Sequence, residues 1–278
     1  MSVQRTSTRR SSGKTVARNS VGVSHVITTV IISGVLLVIL VVASFAATTI
    51  LESQMQSTQF EEAKSKMMLL NDVVQDVALR VGAGGYASFN QRSGGIGLYN
   101  DSQRKIEIVA SNSTQTYTLF SSSTSPEPPL SIIYSAGSRT PGSEENLTGR
   151  GLPIVNMSQG LGFLRVEHDE GLKIKLDFYR VRIVEMGSFE VGSEAYNYIE
   201  VTFLQPVWGE IRSGSDTVNV NAQNIGFRTD TWVFERDDLR EQTVTIQVKS
   251  GTDTATRSFK GPKTVVVFTE ILVKISLV

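Results

Sequence analysis

Val26–Leu51 reads VITTVIISGVLLVILVVASFAATTIL, a run without a single charged side chain before Glu52. As a helix it would be about 39 Å long at 1.5 Å per residue, against a bilayer hydrocarbon core of about 30 Å. Its only polar side chains are serines and threonines, whose hydroxyls can bond back to the preceding turn, so insertion into lipid costs little. On the N-terminal side stand Arg5, Arg9, Arg10, Lys14 and Arg18, with no acid among them. That basic leader predicts a cytoplasmic N-terminus and an outward-facing remainder. An ordinary secretory signal has an apolar stretch of about 7–15 residues. Ala43, Ser44, Ala46 and Ala47 resemble its cleavage site, but removal there would discard half of one helix.

Beyond the apolar run the helical pattern continues. Phe60, Ala63, Met67, Leu70, Val74, Val77 and Val81 are spaced alternately three and four apart, which places them on one buried stripe. Glu61, Glu62, Lys64, Lys66, Asp72, Gln75 and Asp76 fall opposite, on a wetted face. Gly82, Gly84 and Gly85 are expected to stop the helix. The organisation is therefore a basic leader over 1–22, a long helix over 23–82 that is apolar and then amphipathic, and an exterior domain over 83–278.

The residues at the membrane entry, Gly22-Val23-Ser24-His25-Val26-Ile27 followed by Thr28-Thr29-Val30-Ile31-Ile32, resemble the N-terminal signature of archaeal type IV pilins and archaellins. The resemblance covers about Gly22 to Glu52. It implies a class III leader cut on the cytoplasmic side, here between Gly22 and Val23, and helices that are extracted from the membrane to pack into a filament core. Val26, Val30, Gly34, Leu37, Val41 and Phe45 would then contribute to that core. It also implies a prepilin-type peptidase, an assembly ATPase and a platform membrane protein as partners, with copies of the chain itself as the main one. One departure stands out: the family usually carries Lys or Arg directly before the residue at the cut, whereas Val21 precedes Gly22 and the nearest basic residue is Arg18. Without cleavage the same order of segments describes a single-pass anchor bearing an accessory or binding domain.

From Tyr86 onward the texture becomes short alternating runs separated by Gly, Ser, Asn and Pro, which predicts a mainly antiparallel β domain and an α+β chain overall. An immunoglobulin-like sandwich is one candidate topology. Tyr86–Asn90 and Ile96–Tyr99 are expected to form a hairpin around Gly94-Gly95. Leu172, Ile174, Leu176 and Phe178 share one parity while Val181 and Ile183 take the other, so a bulge near Tyr179 is expected. Val244, Ile246 and Val248 alternate with polar residues. In Thr264–Val278 the residues Val265, Val267, Ile271, Val273, Ile275 and Leu277 share a face. Ser121–Pro129 and Ala136–Pro153 read as loops.

Past the leader the chain carries 22 basic and 27 acidic residues and no basic stripe, which argues against nucleic acid as a partner. It has no cysteine, and this removes disulfides, thiolate catalysis and Cys-ligated metals. Asn-x-Ser/Thr acceptor sequons stand at Asn100, Asn112, Asn146 and Asn156, all in the exterior part. His25 and His168 are far apart in sequence, with His168 in the turn Glu167-His168-Asp169-Glu170-Gly171. Asp230, Glu235, Asp237 and Asp238 lack the spacing of a calcium loop. No nucleophile elbow, phosphate loop, dinucleotide fingerprint or HExxH motif occurs. The expectation is a structural protein without cofactor or catalytic site.

Overall fold

The computed structural model describes residues 25–278, except 92–93, 102–103, 126–128, 138–139, 193, 213–215, 236–241 and 262. The chain divides into two compact units, 1–51 and 52–278. A single helix, α1 (His25–Ala78), crosses the boundary between them. The predicted leader, including the Gly22–Val23 position, lies outside the described residues.

The second unit pairs the helix residues from Glu52 onward with three sheets, whose strands are numbered in chain order. The large sheet has six strands in the order β1 (Gly84–Asn90), β12 (Thr217–Phe234), β15 (Lys263–Leu277), β11 (Glu194–Ile211), β10 (Val181–Val191) and β7 (Ile154–Val155). A five-stranded sheet runs β2 (Gly94–Asn100), β5 (Leu130–Ala136), β9 (Leu172–Asp177), β8 (Phe163–His168) and β6 (Glu145–Thr148). A four-stranded sheet runs β14 (Asp253–Gly261), β13 (Gln242–Ser250), β3 (Ile106–Ser111) and β4 (Thr116–Ser121). Most pairings are antiparallel, but β11 lies parallel to β15 and β10 parallel to β7. The α+β class therefore holds, with three sheets where an immunoglobulin sandwich has two.

Two cores account for this arrangement. The first gathers Phe60, Met67, Leu70 and Val74 of the helix with Ile132 and Ile174 of the five-stranded sheet and Val220 and Val273 of the large one. The second gathers Ile108 and Ile246 of the four-stranded sheet with Val201 and Phe268 of the large one. The large sheet is common to both because its long strands turn both faces inward at different points along their length. In β15, Val266 and Phe268 enter the second core, and Ile271, Val273, Ile275 and Leu277 enter the first. Successive strand residues point to opposite faces, so these sets lie on opposite sides of one sheet. A strand covered in this way reads as a near-continuous apolar run, as Val265–Phe268 does. Counting one parity from Val265 to Leu277 missed this: Val267 is only half-buried, while its neighbours Val266 and Phe268 are buried.

The helix stripe is buried from Phe60 to Val77. Its last member by spacing, Val81, is exposed because α1 ends at Ala78. The buried Asn224 sets that end: its Nδ2 donates to the carbonyls of Val77 (3.3 Å) and Ala78 (3.1 Å), two of the acceptors a helix terminus leaves without partners. Gly82, at φ 79°, then takes the left-handed turn, and its N–H reaches the Asn224 carbonyl at 2.9 Å. Gly84 and Gly85 open strand β1 instead of ending the helix.

Other expectations change for identifiable reasons. β1 and β2 are not a hairpin. β1 pairs with β12 from Gly84–Gln223 to Asn90–Thr217, and β2 pairs with β5, so the Gly94-Gly95 region carries the chain from one sheet to another. The parity change near Tyr179 has the same origin. β9 stops at Asp177 in the five-stranded sheet, and β10 starts at Val181 in the large one. The bulge in this region sits further on, between Glu185 and Gly187. The loop expected over Ala136–Pro153 contains the edge strand β6. The alternation of Val244, Ile246 and Val248 is present as drawn, all three fully buried.

Truncating the stripe tests this account. Leu70 is fully buried between two sheets, so Leu70→Ala in the full chain is expected to lower stability to urea by about 2–5 kcal/mol. Leu69→Ala, on the exposed side of the same turn, should change it little.

Candidate functional site

In the first unit the described helix residues from Val26 to Leu51 are all exposed. Among the residues singled out by the resemblance, Val26, Val30, Leu37 and Val41 are more than half exposed and Phe45 is 76% exposed. Around Gly34 no heavy atom lies within 4 Å of the place a Cβ would occupy, so a neighbouring helix can approach closely there. Two of its hydroxyls bond back within the helix: those of Thr48 and Thr49 both donate to the Phe45 carbonyl at 2.9 Å. With backbone bonds made along the helix and no charge before Glu52, this segment is long and apolar enough to cross a membrane.

The sequons sit in different settings. Asn100 ends β2 and Asn146 lies in β6, and both are exposed. These two strands are the opposite edges of the five-stranded sheet. Asn156 is exposed in the segment after β7, where its Oδ1 accepts from the Ser158 N–H (3.2 Å) and hydroxyl (2.8 Å). Asn112 differs. It is half-buried in the β3–β4 turn, its Oδ1 accepts from the N–H groups of Thr114 (2.9 Å) and Gln115 (2.6 Å), and its Nδ2 donates to Gln242 Oε1 (2.9 Å). The amide nitrogen a glycosyl transfer would use at Asn112 thus already makes one hydrogen bond within the fold, which the tripeptide alone does not reveal.

His168 is exposed at the end of β8. In the acidic group, Asp230 pairs with Arg228 at 3.4 Å and Glu235 with Lys263 at 3.7 Å. Asp237 and Asp238 lie outside the described residues. Among the described residues, no group of three His, Asp or Glu side chains stands together to hold a metal.

Sequence reasoning did not anticipate the burial of Asp177, Arg180 and Glu270. Asp177, at the junction of two sheets, accepts a hydrogen bond from Ser131 and faces Arg165 at 2.8 Å and Arg104 at 3.6 Å. The Arg104 guanidinium also covers the Tyr179 ring at 3.9 Å, and burial pushes the Tyr179 hydroxyl up. Arg180 is fully buried, with one guanidinium nitrogen donating to the carbonyls of Gly160 (3.0 Å) and Gly162 (3.1 Å). Burial lowers its pKa. At Gly162 an added Cβ would stand 1.8 Å from Asn71 Oδ1, so any larger residue there would force the buried Asn71 side chain to move. These contacts pin the segment around 160–162 to the helix and to the β9–β10 junction.

Glu270, on β15 with Arg228 and Phe203 as its cross-strand partners, is only 6% exposed. Burial pushes its carboxyl up; Arg228 pulls it back and Asp230 adds to the rise. Below its ordinary pKa the group is neutral both folded and unfolded and costs nothing. As pH climbs from the ordinary value toward the raised folded one the unfolded chain alone ionises freely, so stability falls and levels off above it. Glu270→Gln is therefore expected to raise the thermal midpoint by a few degrees at about pH 8 and to leave it unchanged near pH 4. Parallel melting curves of the two proteins across that range decide it.

Comparison with protein-family models, with curated proteins and with solved structures returns no match for this chain, so the fold and the exposed apolar helix stand on their own geometry.

Proposed function

We propose that the chain is a pilin-like structural subunit of an archaeal cell-surface filament, exported as a membrane-inserted precursor and assembled through its N-terminal helix. The observation that carries this reading is the charge-free surface from Val26 to Leu51, exposed along its whole length and followed by a folded β domain. Such a surface requires a lipid or protein environment. In the precursor the bilayer supplies it. In the filament, copies of the same helix replace the lipid, and dispersion and exclusion of water are sufficient to hold them. A prepilin-type peptidase, an assembly ATPase and a platform membrane protein are the partners of this process, and the β domain is the outward, adhesive part. Glycans on Asn100 and Asn146 would cover both edges of the five-stranded sheet, where unpaired strand edges invite aggregation. Asn156 is the third acceptor in this reading, and Asn112, half-buried and hydrogen-bonded to Gln242, is the least accessible of the four.

A second reading is a single-pass accessory protein of the cell envelope that does not polymerise. The specific observation in its favour is Val21, which stands where the family carries a basic residue before the cut.

Mass spectrometry of the subunit from filaments sheared off cells separates the two. The expected result is a mature N-terminus at Val23. Full-length chain confined to the membrane fraction, with the leader intact and none in the sheared material, would overturn the filament reading in favour of the anchor.

A further inference from the structure

On the large sheet a row of side chains runs straight across four strands. Arg182 of β10 is the cross-strand partner of Thr202 of β11, which partners Thr269 of β15, which partners Thr229 of β12. Two residues along β11 and β15, and so on the same face, comes an apolar row, Leu204, Ile271 and Phe227. Where these rows meet the end of α1 there is a cavity of about 270 Å³, open to solvent. It has two unlike walls. Arg182, Thr202, Thr229, Thr269 and Glu200 form the polar one, and Ala78, Leu79, Leu161, Phe227 and Ile271 the apolar one, in which Gln75 is the one polar member.

The polar wall offers both donors and acceptors. The Thr202 hydroxyl donates to Glu200 at 3.3 Å, and Arg182 donates to the Gln159 carbonyl at 3.3 Å, with its Nε left buried and unpartnered. One cation and one anion balance, so the wall does not select a charged ligand. Neighbouring strands are about 4.8 Å apart, so the three threonines spread hydroxyls over about 10 Å. That spacing suits a ligand with several hydroxyls around its edge better than a zwitterion with two poles. On the apolar wall, Leu79 (67% exposed) and Phe227 (43% exposed) present surface to solvent for a face of C–H groups. The volume lies near the lower end for small-molecule sites, about 300 Å³, so the cavity admits a single small ring and no longer ligand. The surround is fixed in place, because Gln75 Oε1 accepts from the Leu161 N–H at 3.1 Å and ties that segment to the helix.

We propose that this cavity binds one neutral pyranose unit of a glycan, with ring hydroxyls on the Arg182–Thr202–Thr269–Thr229 row and a C–H face against Phe227 and Leu79. Its biological setting rests on the outward placement of the β domain in the filament reading; the binding itself does not.

The test uses the full chain in detergent micelles and saturation-transfer NMR with the methyl glycosides of mannose, galactose, glucose and N-acetylglucosamine. At least one glycoside is expected to bind with millimolar affinity. Thr269→Val, which keeps the side-chain shape, and Phe227→Ala, at an exposed ring, should each weaken it by about tenfold. Thr245→Val on the four-stranded sheet should leave it unchanged. No binding by any of the four, binding that survives both cavity variants, or displacement of the glycoside by free glycine would each overturn the proposal. A retained leader or absence from filaments would not alter these readings, so failure of the filament role and failure of the sugar site remain distinguishable.

Discussion

The second unit depends on one buried stripe. From Phe60 to Val77 the helix places an apolar side chain inward about once per turn, and both the five-stranded sheet and the large sheet close on it. Neither sheet face could stay dry without it. The helix in turn would not be held by its own propensity, since packing of an amphipathic face supplies most helix stability in a folded chain. Asn224 then fixes where the helix stops by taking its last carbonyls, and the first strand departs from that point. Helix length, strand entry and the meeting of two sheets are thus set by a few neighbouring contacts.

Upstream of Glu52 the same helix obeys a different rule. Its sequence has no polar face, so periodicity carries no information about which side is covered, and composition alone decides its environment. One continuous element therefore serves two solvents. The change of rule coincides with the first charged residue after Val26, and the boundary between the two compact units falls at the same place.

Much of this was readable from residue order. The apolar run, the spacing of Phe60 to Val77 and the alternation in Val244–Val248 depend on local periodicity, and local periodicity survives folding. What could not be read depends on distant partners. The two short strands around Gly94-Gly95 look like a hairpin, yet each pairs with a strand far along the chain. In β15 both faces are buried against different cores, and a single-parity count misplaced Val267 for that reason. Asn112 matched its sequon as well as the others did, and only its bond to Gln242, 130 residues away, sets it apart. The cavity beside the helix end was invisible for the same reason: Arg182, Thr202, Thr229 and Thr269 share no motif and become neighbours only through strand register. Buried charges such as Asp177 and Arg180 carry no local signature either.

The position of β15 has a consequence for the order in which the large sheet can form. It follows β11 and β12 in sequence but lies between them, bonded to both along nearly its whole length. The two long strands made before it therefore have no mutual ladder to form while they wait. The large sheet therefore closes only when the segment through Leu277 has joined it. Insertion of β15 between strands that precede it in sequence makes completion of this sheet a late step in folding, one that draws on the most distant part of the chain.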